Sequence, residues 1–201
     1  MRIDPKRNYV RRAHTGGFSM VELVVVLAVI MIITAVSLPY FLQAFGTYQL
    51  NDAATQVASI LKFTRYEAIR TNAPVSAQVR QVTTPRAMTN IWTDSNVDTI
   101  EQNTEKQILL DNNIVLDDST VPPNTAGLAT SVGVATLTAV SSGSLTFHQR
   151  GAVTPAAVNV LYVGNVARQT YGYRAVVLFP SGSVQIWTAD ATASAGWNQI
   201  N

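Results

Sequence analysis

A chain of 201 residues holds one globular domain of ordinary size plus an appendage and is too short for two full domains. Cysteine is absent, which excludes disulfides, thiolate chemistry and Cys-ligated zinc. Five of the 14 basic residues (Arg2, Lys6, Arg7, Arg11, Arg12) and one of the 12 acids (Asp4) precede Phe18, so the net charge of +2 belongs to the amino terminus. The remaining 9 basic and 11 acidic residues carry −2 and give no reason to expect nucleic acid as a partner.

Residues Met1 to Gly17 are basic and polar. Phe18 to Leu38 then form a 21-residue apolar run whose only charge is Glu22. About 20 apolar residues at ~1.5 Å each cross a ~30 Å hydrocarbon layer, and the preceding cations hold that side in the cytoplasm. A secretory signal peptide would be shorter and followed at once by a small-residue cleavage site, for which Thr34-Ala35-Val36 is a poor match. A plain signal anchor explains length and charge, yet leaves Gly16-Gly17 and the intramembrane carboxylate of Glu22 without a role. A carboxylate at mid-membrane costs about 2.5–3.5 kcal/mol on insertion scales, less near the interface, and usually has a partner. A cut between Gly17 and Phe18 would create one, an amino terminus four residues before Glu22.

The segment Gly17-Phe18-Ser19-Met20-Val21-Glu22-Leu23 resembles the class III signal of type IV prepilins and type II secretion pseudopilins. The resemblance implies cleavage after Gly17 and N-methylation of Phe18 by a membrane-embedded prepilin peptidase. In that family the glutamate five residues into the mature chain pairs with the amino terminus of a neighbouring subunit, and a proline 22 residues in loosens the helix. Glu22 and Pro39 stand at those two positions. Taken alone, Pro39 is ordinary where a transmembrane helix ends or kinks.

After Pro39, the apolar positions Leu50, Ala54, Val57, Leu61 and Ala68 recur at helical spacing, which predicts an amphipathic continuation to about Thr71, stopped by Asn72-Ala73-Pro74. Arg65, Glu67 and Arg70 read as a solvated face with local ion pairs. The stretch Thr64-Arg65-Tyr66-Glu67-Ala68-Ile69-Arg70-Thr71-Asn72 resembles the end of the helix in the GspH/FimT subfamily, with Tyr66 in place of a serine and Thr71 of an arginine.

Beyond residue 74 the period becomes two. Val75, Ala77 and Val79 alternate with Ser76, Gln78 and Arg80. Further strands are expected at Gln107 to Leu110, Val132 to Val140, Ser144 to His148, Ala157 to Val163, Arg174 to Phe179 and Ser183 to Trp187, with a turn at Pro180-Ser181-Gly182. Thr83 to Gln107 and Asp117 to Ser131 are expected as surface loops. Leu145 to Gly151 and Val176 to Trp187 also look like the closing strands of GspH/FimT heads.

Enzymatic chemistry finds little support. His14 lies in the leader, which leaves His148, in an alternating strand, as a surface or satisfied core residue; no nucleophile elbow, Walker loop, dinucleotide fingerprint or zincin motif occurs. Asp94, Asn96, Asp98 and Glu105 match positions 1, 3, 5 and 12 of a calcium loop, but Thr99 stands where glycine is wanted and Glu101 where an apolar residue is wanted, so a solvated acidic loop is expected and no metal or cofactor. Some FimT-like pilins bind DNA through a basic carboxy-terminal region; here no Lys or Arg follows Arg174, so the resemblance does not extend to nucleic acid.

The resemblance thus implies an α+β, pilin-like fold: a long N-terminal α-helix packed on a C-terminal antiparallel β-sheet head. Residues 1–17 would be a removed leader, 18–39 a transmembrane and filament-core helix, 40–72 its amphipathic continuation and 73–201 a periplasmic head. The implied protein is a single-pass inner-membrane subunit in contact with lipid, a non-enzymatic minor pseudopilin like GspH that assembles with other pseudopilins. A FimT-like minor pilin of a type IV pilus is the alternative.

Overall fold

The computed structural model describes residues 17–82, 88–110, 113–116, 125–191 and 196–200. The leader before Gly17 and the Pro122-Pro123 part of the second expected loop lie outside them. The chain divides into two compact units, Met1–Phe41 and Leu42–Asn201.

Helix α1 (Met20–Thr71) contributes to both. In the first unit every residue from Gly17 to Tyr40 is exposed, including the whole apolar run, and the helix is long and apolar enough to cross a membrane. Such a surface has no partner among the described residues and is suited to lipid or to other apolar helices. Thr34 stays compatible with that surface because its hydroxyl donates to the Ile30 carbonyl at 2.7 Å.

In the second unit the predicted stripe is buried: Leu50, Ala54, Val57, Leu61 and Ala68 are all fully covered. Each large apolar side chain buried this way contributes about 1.5–3 kcal/mol. The helix ends at Thr71 because Asn72 turns left-handed (φ 50°), Ala73 N–H reaches back to the Ala68 carbonyl at 3.3 Å, and Pro74 cannot continue the helix.

Two sheets receive this stripe. The first has the order β3 (Gln107–Leu110), β2 (Met88–Asp94), β1 (Val75–Val82), β6 (Gly143–Phe147), β7 (Val153–Thr154), antiparallel throughout. The second has the order β11 (Asn198–Ile200), β10 (Val184–Ala189), β9 (Tyr173–Leu178), β8 (Asn159–Asn165), β4 (Ile114–Val115), with β5 (Thr138–Ala139) added parallel to β8. Val75, Ala77, Val79, Ile91, Leu145 and Phe147 of the first sheet and Leu161, Val163, Val176 and Leu178 of the second share one core with the helix. The architecture is therefore α+β, a long helix packed on antiparallel sheets, as expected.

The second sheet is covered on its other face too. Leu128 of α2 (Thr125–Val132) and Trp197 form a second cluster with Val160, Tyr162, Tyr173, Ala175, Val177 and Trp187, the Tyr162 and Trp197 rings lying 6.0 Å apart. This explains why β8 and β9 are buried along their whole length.

Two expectations are corrected. The 83–107 stretch is not a continuous loop, because it contains β2. There the helix-facing positions are Thr89, Ile91 and Thr93, and Thr93 satisfies its hydroxyl against Thr64 of α1 at 2.9 Å, so the inner face reads as polar in the sequence. The expected strand Val132 to Val140 forms only at Thr138–Ala139, and α2 occupies the end of the second expected loop. Gly133 (φ 79°) ends α2, its N–H bonding to the Ala129 carbonyl at 3.0 Å, and a left-handed residue breaks the extended run.

Candidate assembly and processing site

Gly17, Phe18 and Ser19 precede α1 in non-helical conformation, and the Ser19 carbonyl accepts the Leu23 N–H at 3.1 Å as the helix begins. Phe18 is 77% exposed, so the Gly17–Phe18 peptide is open to an incoming protein. Glu22 lies in the first turn of α1, where its charge is favoured by the unpaired N–H groups of the helix start. It is exposed, with no ion-pair partner among the described residues. Pro39 is inside the helix, where its missing N–H leaves the Ala35 carbonyl without the usual intrahelical donor.

In the second unit, the three segments that carried the family resemblance converge on Arg65. This side chain does not lie on a solvated face, in contrast to the expectation. It runs half-buried over the β6–β7 hairpin at Gly151 and the β9–β10 turn at Gly182, and its Nη1 donates to the Gly182 carbonyl at 3.2 Å. The two turns are themselves joined by Val153 N–H to the Pro180 carbonyl at 2.9 Å, so helix and both sheets meet at one point. Helical periodicity alone assigned Arg65 to water; the signal for its real place was one glycine in each closing segment, Gly151 at the end of the first and Gly182 inside the second. Glu67 and Arg70 do form the expected local ion pair, with Arg70 Nε donating to Glu67 Oε2 at 3.0 Å. That hydrogen bond to Arg70 holds the Glu67 carboxyl below its ordinary pKa.

Nothing in the sequence pattern announces that Arg174 is buried; it is the second residue of β9, whose other residues are apolar. It is 4% exposed, and burial lowers its pKa, the nearby Asp190 charge acting in the opposite direction. Its Nε donates to Asn51 Oδ1 of α1 at 2.5 Å and its Nη1 to the Tyr173 carbonyl at 2.8 Å.

The acidic loop between β2 and β3 is internally saturated. Asp94 is fully buried and accepts from Asp98 N–H (3.2 Å), Thr99 N–H (2.9 Å) and Gln78 Nε2 (3.1 Å), while Glu105 accepts from the N–H groups of Ser95 (3.0 Å) and Gln102 (3.2 Å). Asp98 accepts from Asn96, Ile100 and Gln102. Asp94 is thus a structural cap and not the solvated residue expected, and its oxygens organise Val97 (φ 58°) and Thr99 (φ 63°) in left-handed conformations. Asp94→Ala is expected to destabilise the second unit by about 2 kcal/mol, because two backbone donors and Gln78 lose their acceptor. Denaturant unfolding of the full chain in detergent, with faster amide exchange at Asp98 and Thr99, checks this. His148 is exposed, and its Nε2 meets Thr154 Oγ1 across the β6–β7 hairpin, a local contact with no nucleophile or metal ligand attached to it.

Comparison with known proteins adds the family. A model described as Type II transport protein GspH matches residues 53–182, more than half of the chain. Two crystal forms of the type IV minor pilin FimU of Pseudomonas aeruginosa (strain PAO1) are similar in structure. One is 16% identical with a TM-score of 0.46, covering 68% of this chain and 91% of that one; the other is 14% identical with a TM-score of 0.46, covering 77% and 94%. No curated protein matches. The GspH match begins in the buried stripe of α1 at Ala53 and ends at the Gly182 turn, so it takes in Arg65 and both turns beneath it, and this chain belongs to the GspH family of type II transport proteins.

Proposed function

We propose that this protein is a minor pseudopilin, a structural subunit that the prepilin peptidase cuts after Gly17 and methylates at Phe18, and that packs through its apolar helix into a periplasmic pseudopilus of the type II secretion system. The observation that carries this reading is the pairing of a GspH-family head with an exposed apolar helix whose first turn holds one carboxylate, Glu22. Neither half suggests an enzyme. The first offers a surface that needs apolar neighbours, and the second spends its polar groups on its own loops and turns.

Glu22 supplies specificity in that packing. A carboxylate among apolar helices needs a counter-charge, and the new ammonium at Phe18 of a neighbour provides it. Glu22→Val is expected to leave membrane insertion intact, since the run becomes more apolar. Crosslinking between subunits should fall about tenfold, equivalent to ~1.4 kcal/mol; unchanged crosslinking would count against the pairing. Deletion of the gene tests the wider reading: secreted enzymes should accumulate in the periplasm. Normal secretion with loss of surface pili would instead assign the subunit to a type IV pilus.

A further inference from the structure

Arg174 faces a pocket of about 310 Å³ lined also by Gln43 and Thr47 of α1 and by Thr170, Thr188 and Asp190 of the second sheet and its turn. The arginine is almost fully buried, yet among the described residues no carboxylate lies within ion-pair distance of it. Its two hydrogen bonds, to Asn51 and to the Tyr173 carbonyl, go to neutral oxygens and occupy two of the five guanidinium donors. None of its nitrogens is among the polar atoms sealed away without a partner, and the residue lines the pocket. A buried cation with no carboxylate in ion-pair contact is costly, and the hydroxyls of Thr170 and Thr188 line the same pocket, which makes an oxyanion the natural occupant; the Thr47 hydroxyl is already committed to the Gln43 carbonyl at 3.0 Å. Asp190 is exposed and lines the same pocket, which favours a ligand carrying a positive group a few bonds from the anionic one.

Chain connectivity says where such a ligand comes from. Gln43 and Thr47 follow Leu38, the last residue of the apolar run, by only five and nine residues of chain. Headgroups occupy the layer just outside the ~30 Å hydrocarbon core. We propose that this pocket binds a zwitterionic phospholipid headgroup, its phosphate held by Arg174 and the threonine hydroxyls and its primary ammonium by Asp190. The proposal rests on the membrane-anchored reading above.

The test is native mass spectrometry of the full chain in detergent with added phosphatidylethanolamine, phosphatidylcholine or inorganic phosphate, with vesicle flotation in parallel. The wild-type chain should retain phosphatidylethanolamine over phosphatidylcholine, whose quaternary ammonium donates no hydrogen bond. Arg174→Gln should retain about tenfold less of either, as expected for one lost charge-assisted contact. Asp190→Asn, at the exposed rim, should abolish the preference for the primary amine while keeping phosphatidylcholine binding. Equal retention by wild type and Arg174→Gln would overturn the proposal, as would displacement of lipid by an equal concentration of inorganic phosphate. Should Arg174→Gln not fold, an unaltered lipid preference in Asp190→Asn overturns it as well. Flotation separates the two levels: every folded variant should float with vesicles, and a wild-type chain that does not float sinks the membrane-anchored reading itself.

Discussion

Gly182→Ala is expected to destabilise the second unit by about 2–4 kcal/mol. Two terms act together. Gly182 has φ 79°, which an L-residue occupies at a cost of about 1 kcal/mol. The added Cβ would also stand 2.1 Å from the Gly151 carbonyl oxygen and 2.8 Å from Arg65 Nε. Arg65 can swing aside, but the Gly151 oxygen is backbone, and its hairpin is tied to the β9–β10 turn through Val153 and Pro180. Relieving the clash must therefore separate the two sheets or unseat the helix above them, an overpacking penalty of about 1–3 kcal/mol. Gly133→Ala is the control. It has the same φ of 79° and nothing within 4 Å of the added atom, so only the backbone term remains, about 1 kcal/mol. Denaturant unfolding of both full-length variants, followed by circular dichroism, measures the difference; equal losses would show that the junction under Arg65 yields freely.

That junction also shows where sequence reasoning stopped. The helix was legible because Leu50, Ala54, Val57, Leu61 and Ala68 recur at regular spacing on its buried side, where Thr64 is the polar exception. Strands β6, β8, β9 and β10 were legible for the same reason. Strand β2 was not, since it satisfies the core with threonine hydroxyls: Thr93 and Thr64 cancel each other's polarity in a way that no hydropathy pattern records. Helix α2 was missed because its eight residues include one large, fully buried side chain, Leu128, and so show no helical stripe. Asp94 was read as solvated because an isolated carboxylate usually is, and only the folded loop shows three donors converging on it.

The candidate site divides the same way. Gly17, Phe18, Glu22 and Pro39 lie in one linear segment, so their spacing could be read directly, and all four are exposed. Arg65 and Arg174 depend on contacts across more than 100 residues of chain, Arg65 with Gly182 and Arg174 with Asn51, and nothing local announces them. Both lie where α1 meets the sheets. Among the described residues these two arginines leave the solvent, and each ties the second unit's part of α1 to a strand or turn of the sheets.

Gly17→Leu is expected to abolish processing outright, and the chain's own structure makes the result interpretable. A Cβ at Gly17 meets nothing within 4 Å, so leucine there leaves the fold undisturbed. Any loss must arise where the peptidase accommodates the residue before the cut. Intact-mass analysis should find the full-length chain in Gly17→Leu and a chain beginning at Phe18 in the wild type; mature protein from the variant would refute the assignment of Gly17. Blocked processing has a second consequence, because no ammonium appears four residues before Glu22. Gly17→Leu should then lose intersubunit crosslinking by about the same tenfold factor as Glu22→Val, since each removes one partner of a single charge pair. Residues acting as one unit are not additive, so the double variant should crosslink no less than either single one. A further drop in the double variant would mean that Glu22 pairs with something other than the new amino terminus, and would separate the processing role of Gly17 from the assembly role of Glu22.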